Sequence, residues 1–208
     1  MEFTRIPLTR RSMERITDAS LLLRLVFAVF LGVCTLSVLS MDYDDYEMPS
    51  RVVRFLHNVN TPFHEFGHIL FRPFPRVIIS LGGTLGQLLM PLICAVAILV
   101  TSKDPFGASV ALWWMFENLV DCAPYIADAR AGVAPLLGGN HGRNAPYGFH
   151  DWQFILGETG LLKMDHAIAR AAYWAGIAGM ALALAWGLFV LFNEYRAYQQ
   201  AGREGRFR

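Results

Sequence analysis

Cysteine is scarce in this chain and net charge is nearly absent. The three cysteines, Cys34, Cys94 and Cys122, stand in apolar segments with no CxxC spacing, which excludes a disulfide framework and a thiolate zinc site and leaves them as packing residues. Eighteen basic residues against seventeen acidic ones leave a formal charge of +1. No basic stripe interleaved with aromatics occurs, so nucleic acid is excluded as a partner. Internal repeats and low-complexity tracts are absent too. What the chain has in quantity is apolar sequence: 54% of its 208 residues are hydrophobic and only 17% are charged. That balance belongs to a membrane protein of one compact unit.

Residues 1–18 are polar and carry Arg5, Arg10, Arg11 and Arg15, and the apolar run 19–41 that follows is long enough to span a bilayer. It reads as a retained anchor with its N-terminus in the cytoplasm and Asp42-Tyr43-Asp44-Asp45 outside, a removed signal peptide being the lesser option. Further helices are expected over 61–72, 83–100, 108–127 and 167–192, with a short amphipathic helix from Phe154 to Leu162. Thr61 and Pro62 suit the cap and first turn of the second helix, and Pro73 and Pro75 stop it. About a dozen residues rise only ~18 Å, short of the ~30 Å of hydrocarbon unless the preceding residues continue the helix. A short β-prone run from Arg76 precedes Gly82, Gly83 and Gly86, where the backbone can approach another helix or an extended substrate. Ala175, Gly179, Ala183 and Gly187 form a small-residue stripe suited to close helix packing. Residues 130–151 make a loop rich in glycine and proline, and 194–208 a basic tail with Arg196, Arg203, Arg206 and Arg208. The expectation is an all-α integral membrane protein, one membrane domain over 19–193, with about four to five transmembrane helices. Both arginine-rich ends favour the cytoplasm, which four spans plus a partly inserted segment around residue 64 would satisfy.

That segment carries His64-Glu65-Phe66-Gly67-His68. On a helix, histidines four apart share a face, so both rings can reach one metal ion with Glu65 beside them to take a proton from water. The alternative is a helix with two unrelated histidines. A catalytic zinc keeps three protein ligands and an open fourth position. The third must come from downstream: Asp121, Asp128, His150 or Asp151, with Glu117 and Glu158 ranking lower. Asp151 could instead cap the helix starting at Trp152, and Asp128 could pair with Arg130. His57 and His141 read as solvated, and His166 as a marker of the membrane boundary.

The motif and the downstream stretch from Asn118 to Asp128, Asn-Leu-Val-Asp-Cys-Ala-Pro-Tyr-Ile-Ala-Asp, together resemble the site-2-type intramembrane zinc metalloproteases over roughly residues 60–130. The resemblance implies Zn²⁺ bound by His64, His68 and Asp128, Glu65 as general base, and Asn118 holding substrate backbone. Ala129 and Arg130 stand where that family has glycine, and Asn118 lies farther from the aspartate than usual, so Asp151 and His150 stay in competition for the third position. The implied activity is hydrolysis of peptide bonds in membrane-associated proteins or peptides, with Gly82 and Gly83 against the extended substrate, in a bacterial inner membrane. Two other readings remain: a non-proteolytic membrane scaffold that keeps a metal for stability, and a zinc hydrolase of lipids or small amides.

Overall fold

The computed structural model describes residues 17–48, 50–136 and 139–203. Arg5, Arg10, Arg11 and Arg15 at one end, and Arg206 and Arg208 at the other, lie outside these. The described residues are helical with no strand, apart from one isolated bridge between Pro135 and His141. The principal helices are α1 (Asp18–Val38), α2 (Arg51–Leu70), α3 (Arg76–Ala97, continued by a wider π turn over Ile98–Ser102), α4 (Pro105–Ala127), α5 (Asp151–Glu158) and α6 (Asp165–Arg203).

Three segments are long and apolar enough to cross a membrane: Asp18–Val38, Arg76–Ser102 and Leu162–Arg203. They turn large side chains such as Leu23, Leu36, Val100 and Leu182 outward, a surface compatible with lipid. The second and fourth helices do not join this set, so four to five crossings are not reached by length and composition. In α2 the reason is Arg51, Arg54, His57, Asn58 and Asn60; in α4 it is the buried Glu117 and Asn118 together with Asp121.

Four boundaries differ from expectation, the first being the short helix expected from Phe154 to Leu162, which runs Asp151–Glu158 instead. α2 starts ten residues earlier than the proline suggests, because Ser50 caps it by accepting from Val53 N. Pro62 is therefore internal, and Thr61 Oγ1 donates to His57 O at 2.8 Å within the helix. The resulting 20 residues rise about 30 Å. The β-prone run from Arg76 is also helical, since α3 begins there. Its backbone groups are consumed within the helix, so Gly82 and Gly83 have none to offer an extended substrate. Finally, α6 is 39 residues long, about 58 Å, and outruns the hydrocarbon thickness.

Glycines explain how α2 and α3 meet. A Cβ on Gly67 would collide with Gly82 O, and one on Gly86 with Phe63 O, so the two backbones touch directly. In α6, Gly176 and Gly179 likewise accept Phe116 and Val120 of α4. Trp113 Nε1 of α4 donates to Thr35 Oγ1 of α1 at 2.9 Å, and Tyr173 OH of α6 to Met41 O at 2.8 Å. At the far end Arg24 of α1 meets Asp104 at 3.0 Å and Glu194 at 3.1 Å. That clamp sets the start of α1, the turn before α4 and the end part of α6 on one side of the molecule.

Candidate metal centre

Three elements converge on the motif. On α2, His64 and His68 lie one turn apart with ring centroids 4.8 Å from each other. α3, pressed against α2 through glycine, passes directly beneath them. A Cβ on Gly83 would strike His64 Nε2, so this glycine leaves room for the ring. α5 contributes Asp151 from its first turn.

Asp151 Oδ2 lies 3.3 Å from His64 Nε2 and 3.3 Å from His68 Nε2, and the three ligand atoms all fall within 4.8 Å of one another. Tetrahedral zinc with bonds of about 2.05 Å separates its ligands by roughly 3.3 Å, which both histidine–Asp151 separations match. The chemistry of the donors fits as well. His64 Nδ1 faces Gln87 Oε1 at 2.7 Å and His68 Nδ1 faces Ile79 O at 2.8 Å. Oxygens of those kinds only accept, so each Nδ1 carries a hydrogen, and each Nε2 is turned to the common point, where it faces the Asp151 carboxylate and would give up its hydrogen to bind an ion. Both histidines and Asp151 lie outside the three long apolar segments. The hydrogen bond to Asp151 raises His68 to about 9, against the opposing effect of burial. Burial disfavours the Asp151 carboxylate, but the hydrogen bonds to His64 and His68 outweigh it and hold its pKa below the ordinary range. Glu65 lines the same cavity, about 520 Å³ in volume, as the two histidines and Asp151.

Of the four downstream candidates, the structure brings Asp151 to the imidazoles and places the others elsewhere. Asp128 ends α4, where Oδ1 accepts from Val133 N at 2.8 Å and Oδ2 from Ala134 N at 3.0 Å. It is 1% exposed and spent on turning the chain into the loop. Arg130 pairs with Asp165 rather than with Asp128. His150 takes the capping role expected of Asp151: its Nδ1 accepts from Gln153 N at 3.2 Å, and its ring stacks on Tyr125 at 4.3 Å. Its Nε2 lies 3.3 Å from Asp128 Oδ2 yet outside hydrogen-bond geometry. Asp121 accepts from His57 Nδ1 at 2.8 Å and from Asn60 Nδ2 at 3.1 Å, so His57 is partnered rather than simply solvated. Asn118 is fully buried in α4, donating to Trp114 O at 2.9 Å, and does not line the cavity. Gly82 and Gly83 serve helix packing and ring clearance.

Two contributors escaped the sequence reading. Tyr125 OH accepts from Asp151 N at 3.1 Å and so seats the ligand-bearing turn. Gln87 is the one side-chain amide of α3, and a lone amide in an apolar helix is a signal that could have found it.

Fold and site together define an all-helical protein, with three segments able to span a membrane, that gathers two imidazoles and a carboxylate around one point. The chain matches no protein-family model, no curated protein and no solved structure.

Proposed function

We propose that this chain is a membrane-embedded zinc hydrolase that cuts peptide bonds of membrane-associated substrates. The observation that carries the reading is the pair of Nε2 atoms, each 3.3 Å from one Asp151 oxygen, with both Nδ1 positions already occupied by acceptors. His64, His68 and Asp151 would hold the ion. When bound, zinc supplies a Lewis acid that polarises a carbonyl and lowers the pKa of water towards ~7. Glu65 accepts a proton from that water as its oxygen bonds to the scissile carbonyl carbon, then returns it to the departing amine as the C–N bond breaks. Tyr125 keeps Asp151 in place through the first turn of α5.

Met41, Met48, Val53, Leu136 and Phe149 line part of the cavity and suit an apolar peptide freed from its helix. The same side chains suit an acyl chain, so hydrolysis of lipid or amide is the second reading, separated from the first by product analysis on labelled peptide and lipid panels. The clamp between Arg24 and Glu194 puts the start of α1 and the later part of α6 on one side, and the arginines beyond both favour the cytoplasm for it. A bacterial inner membrane would supply that setting.

Purified protein should carry about one zinc per chain. Glu65→Gln should keep the metal and lose roughly 10²–10⁴-fold in turnover. A scaffold that binds metal without catalysis would show no hydrolysis to lose, and undiminished hydrolysis by Glu65→Gln would remove the proposed base.

A further inference from the structure

We propose that Asp121, acting through Gln87, sets which nitrogen of His64 is free for the metal, making both of them positioning residues. The inference rests on the metal reading above and names what enforces it. An amide can present either end to an imidazole. With its oxygen towards Nδ1, Gln87 requires a hydrogen there, so that Nε2, which faces Asp151, is the nitrogen that gives up its hydrogen to an ion. Turned over, it would offer an N–H to Nδ1 and drive the hydrogen to Nε2, where it would block coordination.

What decides is the other end of the amide. Gln87 Nε2 lies 3.4 Å from Asp121 Oδ2, and a carboxylate accepts only. The NH₂ must therefore face Asp121 and the oxygen must face His64. Asp121 is itself anchored by His57 Nδ1 and Asn60 Nδ2. Asn60 has no freedom to invert either, because Trp114 Nε1, a donor only, binds Asn60 Oδ1 at 2.9 Å while Asn60 Nδ2 faces Glu117 Oε2 at 2.9 Å. From the indole to the imidazole every amide is orientated by a partner that can play a single role. Asn60 is 1% exposed and Gln87 4%, so direct partners rather than bulk water fix the two amides, although Gln87 and Asp121 border the cavity.

The test uses the full chain in nanodiscs with ¹⁵N-labelled histidine, reading the His64 tautomer without zinc and then the zinc affinity by chelator competition. Wild type should show Nδ1 fully protonated, whatever the state of Nε2 beside Asp151. Asp121→Asn, which gives Gln87 a partner able to accept or donate, should leave Nδ1 without its hydrogen in part of the population and weaken zinc about 10- to 100-fold, the usual effect of losing an outer partner. Gln87→Glu added to Asp121→Asn reverses the polarity of the bond between them, restores an obligatory acceptor to Nδ1, and should recover the fully protonated Nδ1 and most of the affinity. A fully protonated Nδ1 with wild-type affinity in Asp121→Asn, or a double variant no better than the single one, overturns the proposal. A merely structural role would lower thermal stability and leave the tautomer unchanged. If Asp121→Asn does not fold, Gln87→Leu is measured in the same way, and unchanged tautomer and affinity there also overturn it. A wild-type chain that takes up no zinc sinks the metal reading, while the ¹⁵N spectra still decide the tautomer.

Discussion

Substituting Asp128 and Asp151 separately distinguishes anchoring a loop from holding an ion. In Asp128→Asn one carboxylate oxygen becomes an NH₂ group facing a backbone N–H, either Val133 N or Ala134 N, both of which Asp128 now satisfies at 2.8 and 3.0 Å. Losing a charge-assisted bond and orphaning a donor at a position 1% exposed should destabilise the protein by roughly 1–3 kcal/mol. Zinc should still bind near one equivalent, because the two imidazoles and Asp151 are untouched. Asp151→Asn should behave oppositely. It removes the carboxylate that, among the described residues, groups with both rings, so zinc affinity should fall by more than the ~10–100-fold that an outer partner costs, while the buried turn at Asp128 persists. Metal analysis after dialysis against a weak chelator, paired with thermal unfolding in detergent, reads both quantities. Zinc lost from Asp128→Asn at unchanged stability, together with zinc retained by Asp151→Asn, would refute the assignment of the third ligand.

Gly83→Ala places a methyl group against His64 Nε2; despite a gain in helix propensity of up to ~1 kcal/mol, zinc affinity should drop while helical content by circular dichroism is kept. Arg24→Met leaves Glu194, only 5% exposed, without its cation, and the unfolding midpoint in detergent should fall by an amount corresponding to about 1–3 kcal/mol, less than a fully buried pair because Arg24 and Asp104 remain partly wet. Chelating the metal should speed proteolysis between residues 130 and 150, since an ion held by α2 and Asp151 ties the end of that loop to the helix; equal cleavage rates with and without chelator would count against coordination by Asp151.

The pairing of His64 with His68 was legible in the chain because it depends only on helical geometry: residues four apart share a face whatever surrounds them. The long apolar segments were legible for a similar reason, since composition alone decides whether a helix tolerates lipid. The start of α2 was not, because proline is tolerated in the first turn and also inside a helix that other contacts support, and Pro62 gives the same local signal in both cases. Gly82 and Gly83 were ambiguous in kind: a missing side chain marks close approach without naming the neighbour, and only assembly showed that the neighbours are Gly67 and His64. The choice between Asp128 and Asp151 was beyond any local pattern. Each aspartate stands at a helix end and each could cap, turn the chain or bind a metal. What separates them is the path of the intervening loop, which consumes one carboxylate at its start and delivers the other, 83 residues after His68, to within 3.3 Å of it. Short-range spacing along a helix is a property of the backbone alone, whereas a site closed by residues far apart in the chain exists only once packing has decided which groups are already satisfied.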